Sequence, residues 1–273
     1  MNSWRNTSRR AKALSLWLLA AVLTGVAFML PRIAQPLWYH DFADQRACFG
    51  LPNCLDTASN ALFVLAGVIG LRFLYSSSAR HTFTDSREAL PYALFFFVTM
   101  LVGFGSGFYH MAPDNDRLVW DRAAIALALM AWFSAILCER VSLKAGLRLL
   151  PLLVIAGLGS VFYWGWSEVQ GLGDLRLYGL TQIIAMLLIP LLLWLYPPRY
   201  SGDRNILTVI GLYALALLFD FSDRPVFALS GDIISGHTVK HVIAALAAVW
   251  VVLYLRRRRA LSEQSRKVLK GIS

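Results

Sequence analysis

Charge is what this sequence has least of. Only 15% of its 273 residues are Asp, Glu, Lys or Arg, while 58% are hydrophobic. Soluble domains run at about 25% and about 45–50%. So few charges cannot cover a water-soluble globule, which argues against a soluble enzyme and against a disordered chain. Cysteine is scarce as well, at three residues, too few for a disulfide-stapled secreted module. Long connections are missing, as are repeats and low-complexity tracts, so there is no room for a second domain. Histidine numbers only five, and that scarcity makes each position informative.

What the sequence does have is apolar blocks near the length that crosses a bilayer core. Eight can be read, at about 13–30, 56–75, 89–110, 119–138, 147–166, 174–196, 205–220 and 237–255. They lack strand-like alternation and are too long for barrel strands, so helices are the form that satisfies their backbone inside lipid. The expected fold is an all-α polytopic membrane protein, a seven-helix bundle with one extra N-terminal helix. Its organisation reads as a basic N-terminus and extra helix over 1–37, the bundle over 38–256, and a basic tail over 257–273.

With the N-terminus in the cytoplasm, 19 of the 26 Lys and Arg residues fall on the inner side, as the positive-inside rule requires. The net charge of +10 then reflects topology and attraction to anionic lipid, not a nucleic-acid partner. Protein partners cannot be read from the sequence. The plain inside bias suits a bacterial inner membrane, or an ER or Golgi membrane in a eukaryote. The first block, with its basic start, is also compatible with a signal peptide, but no clean A-x-A site follows and a retained helix is expected. Cys48 and Cys54 share one outer loop, where a bridge and two free thiols are equally open readings.

Ionisable groups inside spans are costly and therefore functional candidates. His40 and His81 lie in loops. His110 closes the third span, and His237 and His241 open the eighth, all at the outer side. The last two form His-x-x-x-His, which places both imidazoles on one helix face, one turn apart. Ser106 precedes His110 by four residues and shares its face, within a run where Gly103, Gly105 and Gly107 permit close helix approach. Asp121 begins the next span at about the same depth, with a salt bridge to Arg122 as its structural alternative. Three imidazoles with an open fourth position make a catalytic zinc arrangement, with a carboxylate and a hydroxyl beside it.

This set resembles the alkaline ceramidase family, part of the group of seven-helix membrane hydrolases that includes the adipoQ receptors. The resemblance rests on Gly103, Gly105, Ser106 and His110, on Asp121 eleven residues later, and on His237 and His241. Asp56-Thr57-Ala58-Ser59-Asn60 is similar to the Asn-Thr-x-Ser-Asn that opens the family's first helix. The resemblance implies zinc on His110, His237 and His241, proton transfer by Asp121, carbonyl stabilisation by Ser106, and hydrolysis of ceramide or a related N-acyl lipid. The family's acidic calcium loop is altered here. Arg46 stands at a ligand position and Cys54 replaces a Glu, which argues against calcium.

Four rivals stand beside it. A retinal protein would use Lys240, but it should carry Asp where Gly236 stands. A haem protein would use His110 with His237 or His241 as axial ligands and leave Ser106 and Asp121 idle. A zinc-containing receptor and a lipid-binding protein share the same ligand set. Asp220, Asp223 and Asp232 read as a solvated loop in which Arg224 pairs with one of them. Trp38, Tyr39, Trp164 and Trp166 read as an interfacial belt, and Trp120 as either a cavity lining or an anchor.

Overall fold

The computed structural model describes residues 8–262, so Arg5, Arg266, Lys267 and Lys270 of the expected basic termini lie outside the described residues. Ten α-helices follow one another: α1 Arg9–Met29, α2 Cys54–Ala58, α3 Ala61–Leu74, α4 Ala89–Met111, α5 Asn115–Arg140, α6 Leu143–Val169, α7 Arg176–Leu195, α8 Asp203–Phe221, α9 Asp223–Leu229 and α10 Gly236–Arg257. Eight spans are long and apolar enough to cross a membrane, with α2 and α3 together forming one of them. Among the described residues no strand forms beyond two isolated bridges. This is a multi-pass helical membrane protein, as the apolar blocks require.

The helix ends follow local chemistry. Ser8, Asp114, Ser142 and Ser235 cap α1, α5, α6 and α10, each accepting a backbone N–H three residues on, which satisfies a donor the helix cannot. The second span breaks at Ser59 and Asn60, where the Asn60 amide donates back to the Asp56 carbonyl at 2.7 Å. Both residues keep right-handed helical dihedrals, so the chain continues through the break as one span.

Helix α5 is the most enclosed element and lies against α4, α6 and α7, while α10 closes the bundle against α3 and α8. A first helix with almost no buried residues, α1 lies against α7, and its Leu14, Trp17, Leu18 and Val22 are exposed. Such a face suits lipid. The segment after α1 is tied down, because the Leu175 N–H donates to Ile33 and Arg176 donates to Leu30.

Glycine sets the closest approaches. A Cβ on Gly105 would meet the Trp120 carbonyl oxygen at 2.8 Å, and one on Gly103 the Asn60 carbonyl oxygen at 2.7 Å. Only glycine lets α4 come this near to α5 on one side and to the α2–α3 break on the other. A Cβ on Gly236 would likewise strike the Phe219 carbonyl, so the start of α10 rests on the end of α8. Cys48 and Cys54 are joined by a disulfide with their Cα atoms 5.6 Å apart, closing the loop that leads into α2. Cys138 is buried and free.

Candidate metal centre

The three glycine contacts join α4 to α5, α4 to the α2–α3 break, and α10 to α8 at one end of the bundle, and the histidines meet there. His110 is the penultimate residue of α4, and His237 and His241 occupy the first two turns of α10. All three are buried, with exposures of 0%, 2% and 2%. One ligand atom from each lies within 4.8 Å of the other two. His237 Nε2 and His110 Nε2 are 3.1 Å apart. Tetrahedral zinc–nitrogen bonds of about 2.0–2.1 Å would put two ligand nitrogens about 3.3 Å apart, so the pair already stands near the edge length of such a site.

The neighbours of the imidazoles fit a metal too. His237 Nδ1 lies 2.9 Å from Asp220 Oδ1, and His241 Nδ1 lies 2.8 Å from Ser59 Oγ. Each partner holds the ring by its far nitrogen, the usual outer support of a metal-binding histidine, while Lys240 Nζ lies 3.3 Å from His237 Nε2. The Asn53 side-chain amide donates to the His110 carbonyl at 2.8 Å, fixing the end of α4. Asp223 accepts the His237 N–H on Oδ1 at 2.9 Å and the Ala43 N–H on Oδ2 at 2.8 Å. Fully buried Asp56 accepts from Ser235 at 2.7 Å and from Thr238 at 2.5 Å. These bonds clamp the first turn of α10 to α2 and to the loop before it.

Ser106 and Asp121 come side by side through the Gly105 contact, and both are buried on the wall of a cavity of about 300 Å³. Asp121 Oδ1 and His110 Nδ1 have no hydrogen-bond partner. The polar end of the cavity holds Ser106, Asp121, Arg122, Asp220, Lys240 and His241, and its deep end holds Phe95, Leu129, Trp132, Ala247 and Ala248. Trp132 is eleven residues past Asp121 on α5, roughly 16 Å along the helix. The cavity is a mostly apolar sleeve with its polar side chains at one end.

No protein-family model and no curated protein matches the chain. Its residues alone must speak for it.

Several sequence expectations change here. Asp220 is not a solvated loop residue. It bonds His237 and takes the Lys240 ammonium at 3.0 Å. Asp223 is equally engaged, and Arg224 pairs with Asp41 at 2.5 Å, not with any of the three aspartates at the end of α8. The Asp121–Arg122 salt bridge does not form among the described ion pairs, since residues one apart on a helix do not face each other. Trp164 is fully buried and Tyr39 lines the cavity, so neither belongs to an interfacial belt, whereas Trp38, Trp166 and Trp120 are exposed. His40, read as an ordinary loop residue, bonds Tyr109 at 2.8 Å and Asn115 at 3.0 Å.

At the calcium-loop position, both Asp44 oxygens lie 2.7 Å from the Arg46 guanidinium, which holds the Asp44 carboxyl below its ordinary value. A haem does not fit the histidines. The His110 ring centre lies 4.7 Å from that of His237 and 5.0 Å from that of His241, which leaves no plane between them for a macrocycle with axial ligands on opposite faces.

Proposed function

We propose that this protein is a zinc-dependent membrane hydrolase that cleaves the amide bond of an N-acyl lipid, ceramide or a relative of it, and releases a fatty acid. The observation that carries the reading is a cluster of three buried imidazoles, one of which, His241, lines an apolar sleeve together with Ser106 and with Asp121, whose Oδ1 has no partner. His110, His237 and His241 hold the metal. Zinc bound there supplies a Lewis acid and lowers the pKa of a coordinated water towards about 7.

The chain's own groups divide the remaining work. The sleeve takes the acyl chain and sets the amide carbonyl beside Ser106. The Ser106 hydroxyl donates to the carbonyl oxygen as negative charge develops on it. Asp121, whose Oδ1 is free of other partners, accepts a proton from the attacking water. It returns that proton to the amide nitrogen as the C–N bond breaks, so water adds across the bond and an amine leaves. Ser59 and Asp220 keep two of the imidazoles in the correct tautomer and orientation. The positive-inside bias supports a site toward the outer face of the membrane.

Turnover of N-acyl amides in detergent, measured alongside zinc content, tests the proposal. Asp121→Asn is expected to lose about 10²–10⁴-fold in rate while keeping its zinc, and Ser106→Ala to lose about 10²-fold. A wild type that carries zinc and hydrolyses no N-acyl lipid would leave a zinc-containing receptor or lipid carrier in its place.

A further inference from the structure

Arg122 is a cation in an unusual position. It sits in the second turn of α5, directly after Asp121, and is 6% exposed. No carboxylate forms an ion pair with it among the described residues. Its Nη2 donates to the neutral side chain of Gln35 at 2.6 Å, and its buried Nη1 has no hydrogen-bond partner. Three rings surround the guanidinium: Trp164 at 4.3 Å, Tyr178 at 5.0 Å and Tyr39 at 5.4 Å. Arg122 also lines the cavity, together with Tyr39 and Tyr178.

Burying an unpaired guanidinium at membrane depth is costly. Three aromatic faces return part of that cost, but they satisfy no N–H. The unpartnered Nη1 of this cavity-lining residue is a donor for which the chain provides no acceptor. The other cavity cation, Lys240, is matched by Asp220 at 3.0 Å, and the remaining cavity carboxylate, Asp121, forms no ion pair with Arg122 among the described residues.

We propose that Arg122 receives the carboxylate of the substrate's amine half, and that the preferred substrates are therefore N-acyl amino acids. The inference rests on the amide-hydrolase reading and narrows it. Three features choose a carboxylate. A buried guanidinium without an ion pair has room for one negative charge. A guanidinium with a free edge suits a planar carboxylate. Distance fits as well. In an N-acyl amino acid the carboxylate carbon is two bonds from the amide nitrogen, so its receptor must stand within a side chain's length of the catalytic groups. Arg122 and Asp121 line the same cavity. A ceramide offers hydroxyls in that position and would leave the guanidinium unmet.

The probes are N-lauroylglycine and its neutral analogue N-lauroylglycinamide, which share chain, amide and size. Binding is measured by calorimetry on the detergent-purified full chain with chelator present, so that no turnover intervenes. Hydrolysis of both is measured separately on the zinc-loaded protein. Wild type is expected to bind the acid about tenfold or more tighter than the amide, as a charge-assisted hydrogen bond should. Arg122→Gln should bring that ratio near one, and Arg122→Lys, which keeps the charge, should retain most of it.

Equal binding of the two probes by wild type overturns the proposal, with no variant required. A preference that survives Arg122→Gln overturns it as well. The acid preferred through Arg122 but never hydrolysed would uphold the carboxylate site and sink the hydrolase reading. Both probes hydrolysed alike, without preference, would do the reverse.

Discussion

The two ends of the bundle bury ionisable groups on a similar scale and treat them in opposite ways. At the end away from the histidines, Glu139 accepts from Tyr92 at 2.6 Å, from Tyr254 at 2.8 Å and from Arg258. Glu88 there accepts from Tyr200, from Thr84 and from Arg199. All four carboxylate oxygens have partners. The unpaired nitrogens at that end belong to Arg140 and Arg258, whose remaining nitrogens are already bridged to Asp203 and Glu139. At the histidine end, Asp121 Oδ1, Arg122 Nη1, His110 Nδ1, Asp56 Oδ2 and Asn60 Oδ1 have no partner, and Asp121 and Arg122 line a cavity. A satisfied buried network fixes a structure, whereas an unsatisfied one beside an empty volume waits for a ligand. The difference lies in unmet valence, not in the amount of buried charge.

The sharpest way to break this comparison is to remove one carboxylate from each end. Glu139→Ala leaves the fully buried Arg258 uncompensated and is expected to cost about 3–5 kcal/mol, read as a large fall in the melting temperature of the detergent-solubilised protein. Asp121→Asn should change melting little while abolishing turnover. Equal losses of stability from the two variants would erase the distinction between the ends.

A second cut concerns the supports of the imidazoles. Asp220→Ala is expected to weaken zinc binding about 10–100-fold in a chelator competition, and it also frees Lys240. Ser59→Ala removes a neutral partner and should weaken zinc less. Unchanged affinity in both would mean that these groups do not orient the rings.

Packing gives a smaller effect. Gly105→Ala forces a methyl against the Trp120 carbonyl and should cost about 1–3 kcal/mol. Gly159 has nothing within 4 Å of an added Cβ, so Gly159→Ala should be neutral or stabilise by about 1 kcal/mol. Thermal melts of the two variants should therefore move apart.

The smallest effect expected is one of pH. The Arg46 partnership lowers the folded-state pKa of Asp44, so its stabilisation is full above the unfolded carboxyl value of about 3.9 and is lost as pH falls through the folded value. The melting gap between wild type and Asp44→Asn should be constant near neutral pH and close only in acid. A gap that widened in acid would contradict the pairing.

These contrasts also explain what could be read without coordinates. The eight spans were legible because length and hydropathy set them. So were His110, His237, His241, Ser106 and Asp121 as candidates, because helical spacing and rarity at span ends mark them. The outer supports were not. Ser59 reaches His241 and Asp220 reaches His237 across pairs of helices whose contact no sequence signal marks. Lys240 and Asp220 might have been paired by asking where a charge one turn inside a span finds its opposite. The assignment of Arg122 to Asp121 failed on a point already available, since adjacent helical residues do not face each other. The Cys48–Cys54 bridge was undecidable until the loop's geometry closed it.

The most direct test of the account is the metal content of the detergent-purified protein, by elemental analysis, beside His110→Ala and His237→Ala. About one zinc per chain in wild type, lost in both variants while they stay folded, is the expected result. A folded wild type that carries no zinc in metal-replete conditions would contradict the histidine site, and with it the hydrolase built on it.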